Sequence, residues 1–168
     1  MIQPLPPTAT TQERVKQYME VIAAIQATLE EETDWTAAMA TVACELHNAF
    51  EAFHWTGFYR AVSDSLLIVG PYQGGHGCLR IDFSRGVCGA AARTRQIQHW
   101  DNVHDAPDHI ACSSSTISEI VVPVIGPGGR LLAVLDVDSD LPAAFTSVDR
   151  EALRDLCNWL GRRFEATA

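Results

Sequence analysis

Residues Ser118–Ser139 read SEIVVPVIGPGGRLLAVLDVDS. Two short runs rich in β-branched residues flank GPGG, Gly126–Gly129, which is turn chemistry. Such side chains lose rotamer freedom in a helix and pack well on a pleated surface, so both runs read as strands. Outward from this pair the same signature recurs in HWTGFYRAV (His54–Val62), LLIVGPY (Leu66–Tyr72), CLRIDF (Cys78–Phe83) and QIQHW (Gln96–Trp100). About six strands are expected, all in the middle of the chain.

The ends read differently. Thr10 and Glu13 have the spacing of a capping box, and Val15, Tyr18, Ile22, Ile25 and Leu29 recur at helical intervals, which predicts an amphipathic helix from about Thr11 to Glu31. Asp34 is a plausible N-cap for a second helix with Trp35, Met39, Val42 and Leu46 on one stripe, ending around Phe50. At the other end Thr146 and Asp149 can cap a helix whose apolar face is Leu153, Leu156, Cys157, Leu160 and Phe164. Between the strands only RGVCGAAARTR (Arg85–Arg95) is dense enough in small residues for a short helix, and WDNVHDAPDHIACSSST (Trp100–Thr116) reads as a long loop. Clustered strands with helices at both ends predict an α+β fold. Its mainly antiparallel sheet carries the terminal helices on one face and leaves the other for a ligand pocket under loops.

With 168 residues and 47% hydrophobic content, one domain is expected, a flexible segment over 1–10 followed by a single unit over 11–168. Twenty-one acidic against 12 basic residues give a net charge of −9, with no basic run to neutralise phosphates, so nucleic acid and membrane surfaces are not expected partners. The opening MIQPLPPTAT has no basic region and no apolar stretch, and no later apolar run approaches a membrane span, which points to the cytoplasm. Five cysteines in such a compartment do not form a permanent disulfide framework; any disulfide is expected to be transient and chemical.

The cysteines divide by context. Cys157 lies on an apolar helix stripe and Cys44 sits among alanines within a helix, where a thiol serves as a small hydrophobe. Cys78, Cys88 and Cys112 fall at a strand start, a glycine-flanked turn and a loop, where a side chain can reach a cleft. His76 and His109 precede two of them by two and three residues, but tight metal-ligand spacing is missing, so no metal is assigned. A second constellation is Glu119, Asp136 and Asp138, in strands expected to be half-buried. Asp136 and Asp138 share a face because strand side chains alternate. Clustered carboxylates cap loops, or hold a raised pKa, or await a cationic ligand such as an ammonium group. Trp55 and Tyr59 share a face of a regular strand and either wall a pocket or pack the core.

From about Val15 to Phe164 the ordered motifs WTGFY, LIVGPYQG, RGVCGAAA, HIAC, SEIVVPV and VLDVDS resemble the free methionine-(R)-sulfoxide reductases, enzymes built on a GAF domain. The resemblance implies a GAF-like six-stranded antiparallel sheet and a small closed pocket. It implies that Cys112 is the catalytic nucleophile, Cys78 the principal resolving cysteine and Cys88 an auxiliary one. Trp55, Tyr59, Glu119, Asp136 and Asp138 match pocket residues, and the amides around Ile110, Ala111 and Cys112 match those that contact substrate. Free methionine-(R)-sulfoxide as substrate and a thioredoxin-like reductant follow, with no cofactor. Asn102 and Ser113 depart from the family, which usually carries acidic residues there. The alternatives are a non-catalytic GAF sensor, which normally has an output domain attached, and a zinc-binding interaction domain. The heptad-like spacing of the first helix can serve a homodimer in either case.

Overall fold

The computed structural model describes residues 2–107 and 114–168. Its strands β1 (Trp55–Ala61), β2 (Leu66–Gln73), β3 (Arg80–Asp82), β4 (Gln98–Trp100), β5 (Ser118–Ile125) and β6 (Leu131–Ser139) form one sheet in the order β3-β2-β1-β6-β5-β4. Every neighbouring pair is antiparallel. The two runs that flank Gly126–Gly129 are therefore adjacent strands, and β6 sits near the centre, paired along its length with both β5 and β1.

Helices α1 (Thr11–Thr28), α2 (Trp35–Ala49) and α4 (Ser147–Phe164) cover one face, while the short α3 (Gly86–Thr94) lies against the other. The period of two along each strand separates two apolar clusters. Phe58, Ile120, Val122, Leu135 and Val137 pack with α1, α2 and α4. Trp55, Tyr59, Val121 and Val134 pack with Val87, Cys88, Ala91 and Ala92 of α3. The chain thus has a thick hydrophobic core on the helical face and a thinner layer on the face that carries the candidate site.

The helix starts follow the sequence signals. Thr10 and Glu13 close a capping box on α1, Asp34 accepts from the Ala37 amide at 2.7 Å, and Thr146 and Asp149 close a box on α4. The buried face of α1 is rotated from the expected one. Val15 is 42% exposed, whereas Arg14 and Gln17 are buried. The cause is Asp149, which is fully buried: its Oδ1 accepts from the Arg14 guanidinium at 2.6 Å and from the Tyr18 hydroxyl at 2.8 Å, and its Oδ2 accepts from the Thr146 amide at 2.7 Å. A buried ion pair holds only when its remaining lone pairs are bonded in this way.

The segment before α1, read as a flexible start, is tied to the end of α2. The Leu5 amide donates to Ala49 at 2.8 Å, the Glu51 amide donates back to Leu5 at 3.0 Å, and the buried Gln17 amide reaches the Gln3 carbonyl at 2.8 Å. Backbone groups freed where α2 stops find their partners there. The segment read as a long loop contains a 3₁₀ turn at Val103–Asp105, which Asn102 caps by accepting from the His104 amide at 3.0 Å. No helix among the described residues is long and apolar enough to cross a membrane.

Candidate active site

The site lies on the sheet face that α3 partly covers. In the register of β1 and β6, Trp55 is opposite Asp138, Gly57 opposite Asp136 and Tyr59 opposite Val134. In that of β5 and β6, Glu119 is opposite Asp138 and Val121 opposite Asp136. Directly opposed residues point to the same face, so one patch of sheet carries Trp55, Tyr59, Glu119, Asp136 and Asp138. Trp100 of β4 pairs with Glu119 and extends the patch toward the sheet edge.

The aromatic wall depends on a glycine. The rings of Trp55 and Tyr59 stack at 5.7 Å between centroids, and Trp55 stacks on Tyr72 at 5.2 Å. A Cβ on Gly57, between them in sequence, would stand 2.3 Å from the Tyr72 Cβ and 2.7 Å from the Trp55 ring. Only hydrogen at that position lets the stack close. The indole N–H of Trp55 donates to the Gly75 carbonyl at 3.1 Å, which draws the loop before β3 over the aromatic rings.

Cys88 reaches this patch from α3. Its Sγ and one carboxylate oxygen each from Glu119 and Asp136 lie within 4.8 Å of one another, and all three residues are buried. Oδ1 of Asp136 has no hydrogen-bond partner among the described residues. Three acids this close and this dry do not all ionise. Burial pushes Asp136 up to about 7, and its contact with the Cys88 thiol works in the opposite direction. Burial first, then Asp136 and Asp138, raise Glu119 well above the usual carboxylate range. Burial, then Asp136 and Asp140, do the same to Asp138. Burial and the neighbouring Asp136 and Glu119 keep the Cys88 thiol protonated, and burial followed by Asp136 raises the Tyr59 hydroxyl. The patch therefore offers protons and wants a cation.

Beside it opens a cleft of about 480 Å³ lined by His54, Trp55, Gly75, His76, Ser114, Ser115, Thr116, Asp138 and Asp140. His54 is held there through Nδ1, which accepts from the Asp140 amide at 3.0 Å. Cys78 packs against the site-face cluster and is disulfide-bonded, whereas Cys44, Cys88 and Cys157 are free thiols. Cys157 is fully buried on α4 and Cys44 is half-buried on α2, both away from the site. Ile110, Ala111 and Cys112 lie outside the described residues.

The GAF domain profile matches residues 30–162. The free methionine-R-sulfoxide reductase of Escherichia coli is 38% identical over 125 residues, 74% of each chain. The chain belongs to the GAF-domain family of free methionine-R-sulfoxide reductases. The family member of Saccharomyces cerevisiae is 36% identical over 137 residues, 78% of this chain and 76% of that one. The X-ray structure of the family member from Neisseria meningitidis, solved in complex with its substrate, superposes with a TM-score of 0.87 at 40% identity, covering 99% of this chain and 98% of that one.

Within the family frame, sequence reasoning placed Trp55, Tyr59, Glu119, Asp136 and Asp138, and these five share one face of the sheet. It missed Gly57 and Trp100. For Gly57 the signal was available, since a glycine between two aromatics within a strand marks a close approach. For Trp100 it was not, because its place beside Glu119 depends on the β4 register.

Proposed function

We propose that this protein reduces free L-methionine-(R)-sulfoxide to L-methionine, with three cysteines carrying the oxygen and the electrons. The observation that carries this reading is the stacked Trp55–Tyr59 wall beside the buried Glu119 and Asp136 carboxyls and the half-buried Asp138, with Oδ1 of Asp136 unpartnered among the described residues. A free amino acid brings an ammonium that a residue inside a polypeptide lacks, and a carboxylate in a dry pocket rewards it strongly. Aromatic rings suit the methyl and thioether end.

The Cys112 thiolate attacks the sulfoxide sulfur while a pocket carboxylic acid gives its proton to the sulfoxide oxygen. Methionine leaves and Cys112 is left as a sulfenic acid, so the substrate sulfur is reduced and the enzyme sulfur oxidised by the same two electrons. The Cys78 thiol then condenses with the sulfenic acid, releasing water and forming a Cys78–Cys112 disulfide. A thioredoxin-like dithiol reduces it by exchange. The disulfide-bonded state of Cys78 supports its resolving role, and Cys88, free and beside Asp136, serves as the auxiliary thiol. Backbone amides at Ile110 and Ala111 complete the contacts to substrate. The same pocket divides its carboxyls between ammonium binding, which needs one ionised, and proton donation, which needs one neutral.

Single-turnover chemistry tests the roles. Reduced Cys112→Ser should release no methionine, whereas reduced Cys78→Ser should release about one equivalent and then stall. Equal loss of the first equivalent in both variants would assign the nucleophile wrongly.

A further inference from the structure

We propose that Cys88, Glu119 and Asp136 form a binding site for a thiophilic divalent cation of the zinc class, which competes with the ammonium of a free amino acid. The donors are one thiol sulfur and two carboxylate oxygens, all within 4.8 Å of one another. Zinc takes sulfur at about 2.3 Å and oxygen at about 2.0–2.2 Å in a tetrahedron, which needs donors roughly 3.3–3.8 Å apart, so the trio must contract by only about 1 Å. Oδ1 of Asp136, in a residue of the trio that is 5% exposed, is buried without a partner among the described residues. That orphan acceptor independently asks for a cation or a donor, since a buried unsatisfied carboxylate oxygen is costly.

A mixed thiolate and carboxylate set selects a borderline-soft ion over magnesium or calcium, which prefer all-oxygen shells. Three protein ligands leave a fourth position for water. Binding replaces the Cys88 S–H bond by a sulfur–metal bond and releases that proton, together with any held by the Glu119 and Asp136 carboxyls, to solvent, with no change of oxidation state. The consequence is regulatory: the cation takes two of the carboxyls proposed for ammonium binding and proton donation, and the auxiliary thiol, at once. Competition with an amino acid presupposes the reductase reading above, whereas binding of the ion itself does not.

Cadmium is a spectroscopic probe of the same class, because its bond to thiolate absorbs in the ultraviolet. The oxidised protein, with Cys78 in its disulfide, is titrated with Cd²⁺ alone. The expected result is a thiolate–cadmium band that saturates at one equivalent and is unchanged by Cys44→Ser. It should be lost in Cys88→Ser, and at least tenfold more Cd²⁺ should be needed to reach half-saturation in Asp136→Asn. Saturating free methionine should raise the apparent dissociation constant of the wild type at least tenfold. No stoichiometric band from folded protein, a band that survives in Cys88→Ser, or indifference to methionine overturns the proposal. Turnover of free methionine-(R)-sulfoxide by the chelator-treated, reduced enzyme reads the reductase assignment separately.

Discussion

The indole N–H of Trp55 is bonded to the carbonyl oxygen of Gly75, three residues before Cys78, at 3.1 Å. The ring that walls the pocket thereby also fastens the loop that carries the proposed resolving thiol. A Cβ on Gly77 would stand 2.9 Å from both the Trp55 ring and the Tyr59 hydroxyl, so this loop lies directly on the aromatic wall.

Trp55→Phe keeps an aromatic face toward Tyr59 and removes the donor. A single neutral hydrogen bond contributes about 1 kcal/mol to stability. The variant should therefore remain folded and, at saturating substrate, release its first equivalent of methionine at a rate close to that of the wild type. Its steady-state rate should fall several-fold as closure of the Cys78 disulfide slows. Rapid-quench measurement beside steady-state assay separates the two, and an unchanged ratio of the two rates would remove the loop from the catalytic cycle.

Gly57→Ala tests the aromatic stack. The new methyl meets the Tyr72 Cβ and the Trp55 ring, and overpacking of this kind costs about 1–3 kcal/mol. Urea unfolding should show that loss, and KM should rise more than kcat falls, because the damaged element is a binding wall. A variant with wild-type stability and KM would show that the stack yields freely.

The buried acids give a pH dependence of defined sign. Below about pH 4 an aspartic acid is neutral in both folded and unfolded chains. As pH rises, the unfolded chain gives up the proton first, so folding is progressively disfavoured until the folded Asp136 ionises at about 7. Above that the penalty is constant. Asp136→Asn should therefore raise Tm at pH 8, by roughly 2–4 °C for each kcal/mol relieved, and change it little at pH 4. The same variant should lose activity at all pH values. Calorimetry at the two pH values checks it, and equal shifts at both would mean that Asp136 is not held neutral by its surroundings.

The strands were legible in the sequence because β-branched runs and turn residues are local signals, and the shared face of Asp136 and Asp138 follows from alternation alone. The caps at Thr10, Asp34 and Thr146 were legible for the same reason. The burial of Arg14 was not, because it depends on Asp149 at the start of the last helix, 135 positions away. Helical periodicity therefore placed Val15 on the wrong side. The meeting of Cys88 with Asp136 was equally hidden, since it requires α3 to lie across β5 and β6, a tertiary arrangement that no window of sequence encodes. The motif HIAC falls outside the described residues, so the place of Cys112 rests on the family resemblance and on chemistry.

The proposed function makes the pocket selective for a free amino acid and for one sulfoxide epimer. The most direct measurement is turnover by the reduced protein, with a thioredoxin system, of free methionine-(R)-sulfoxide, of the free (S) epimer and of a peptide containing methionine sulfoxide. Turnover of the free (R) form is expected, with the other two slower by at least two orders of magnitude. Folded, reduced protein that leaves the free (R) form unreduced, or that reduces the peptide as fast, would contradict it.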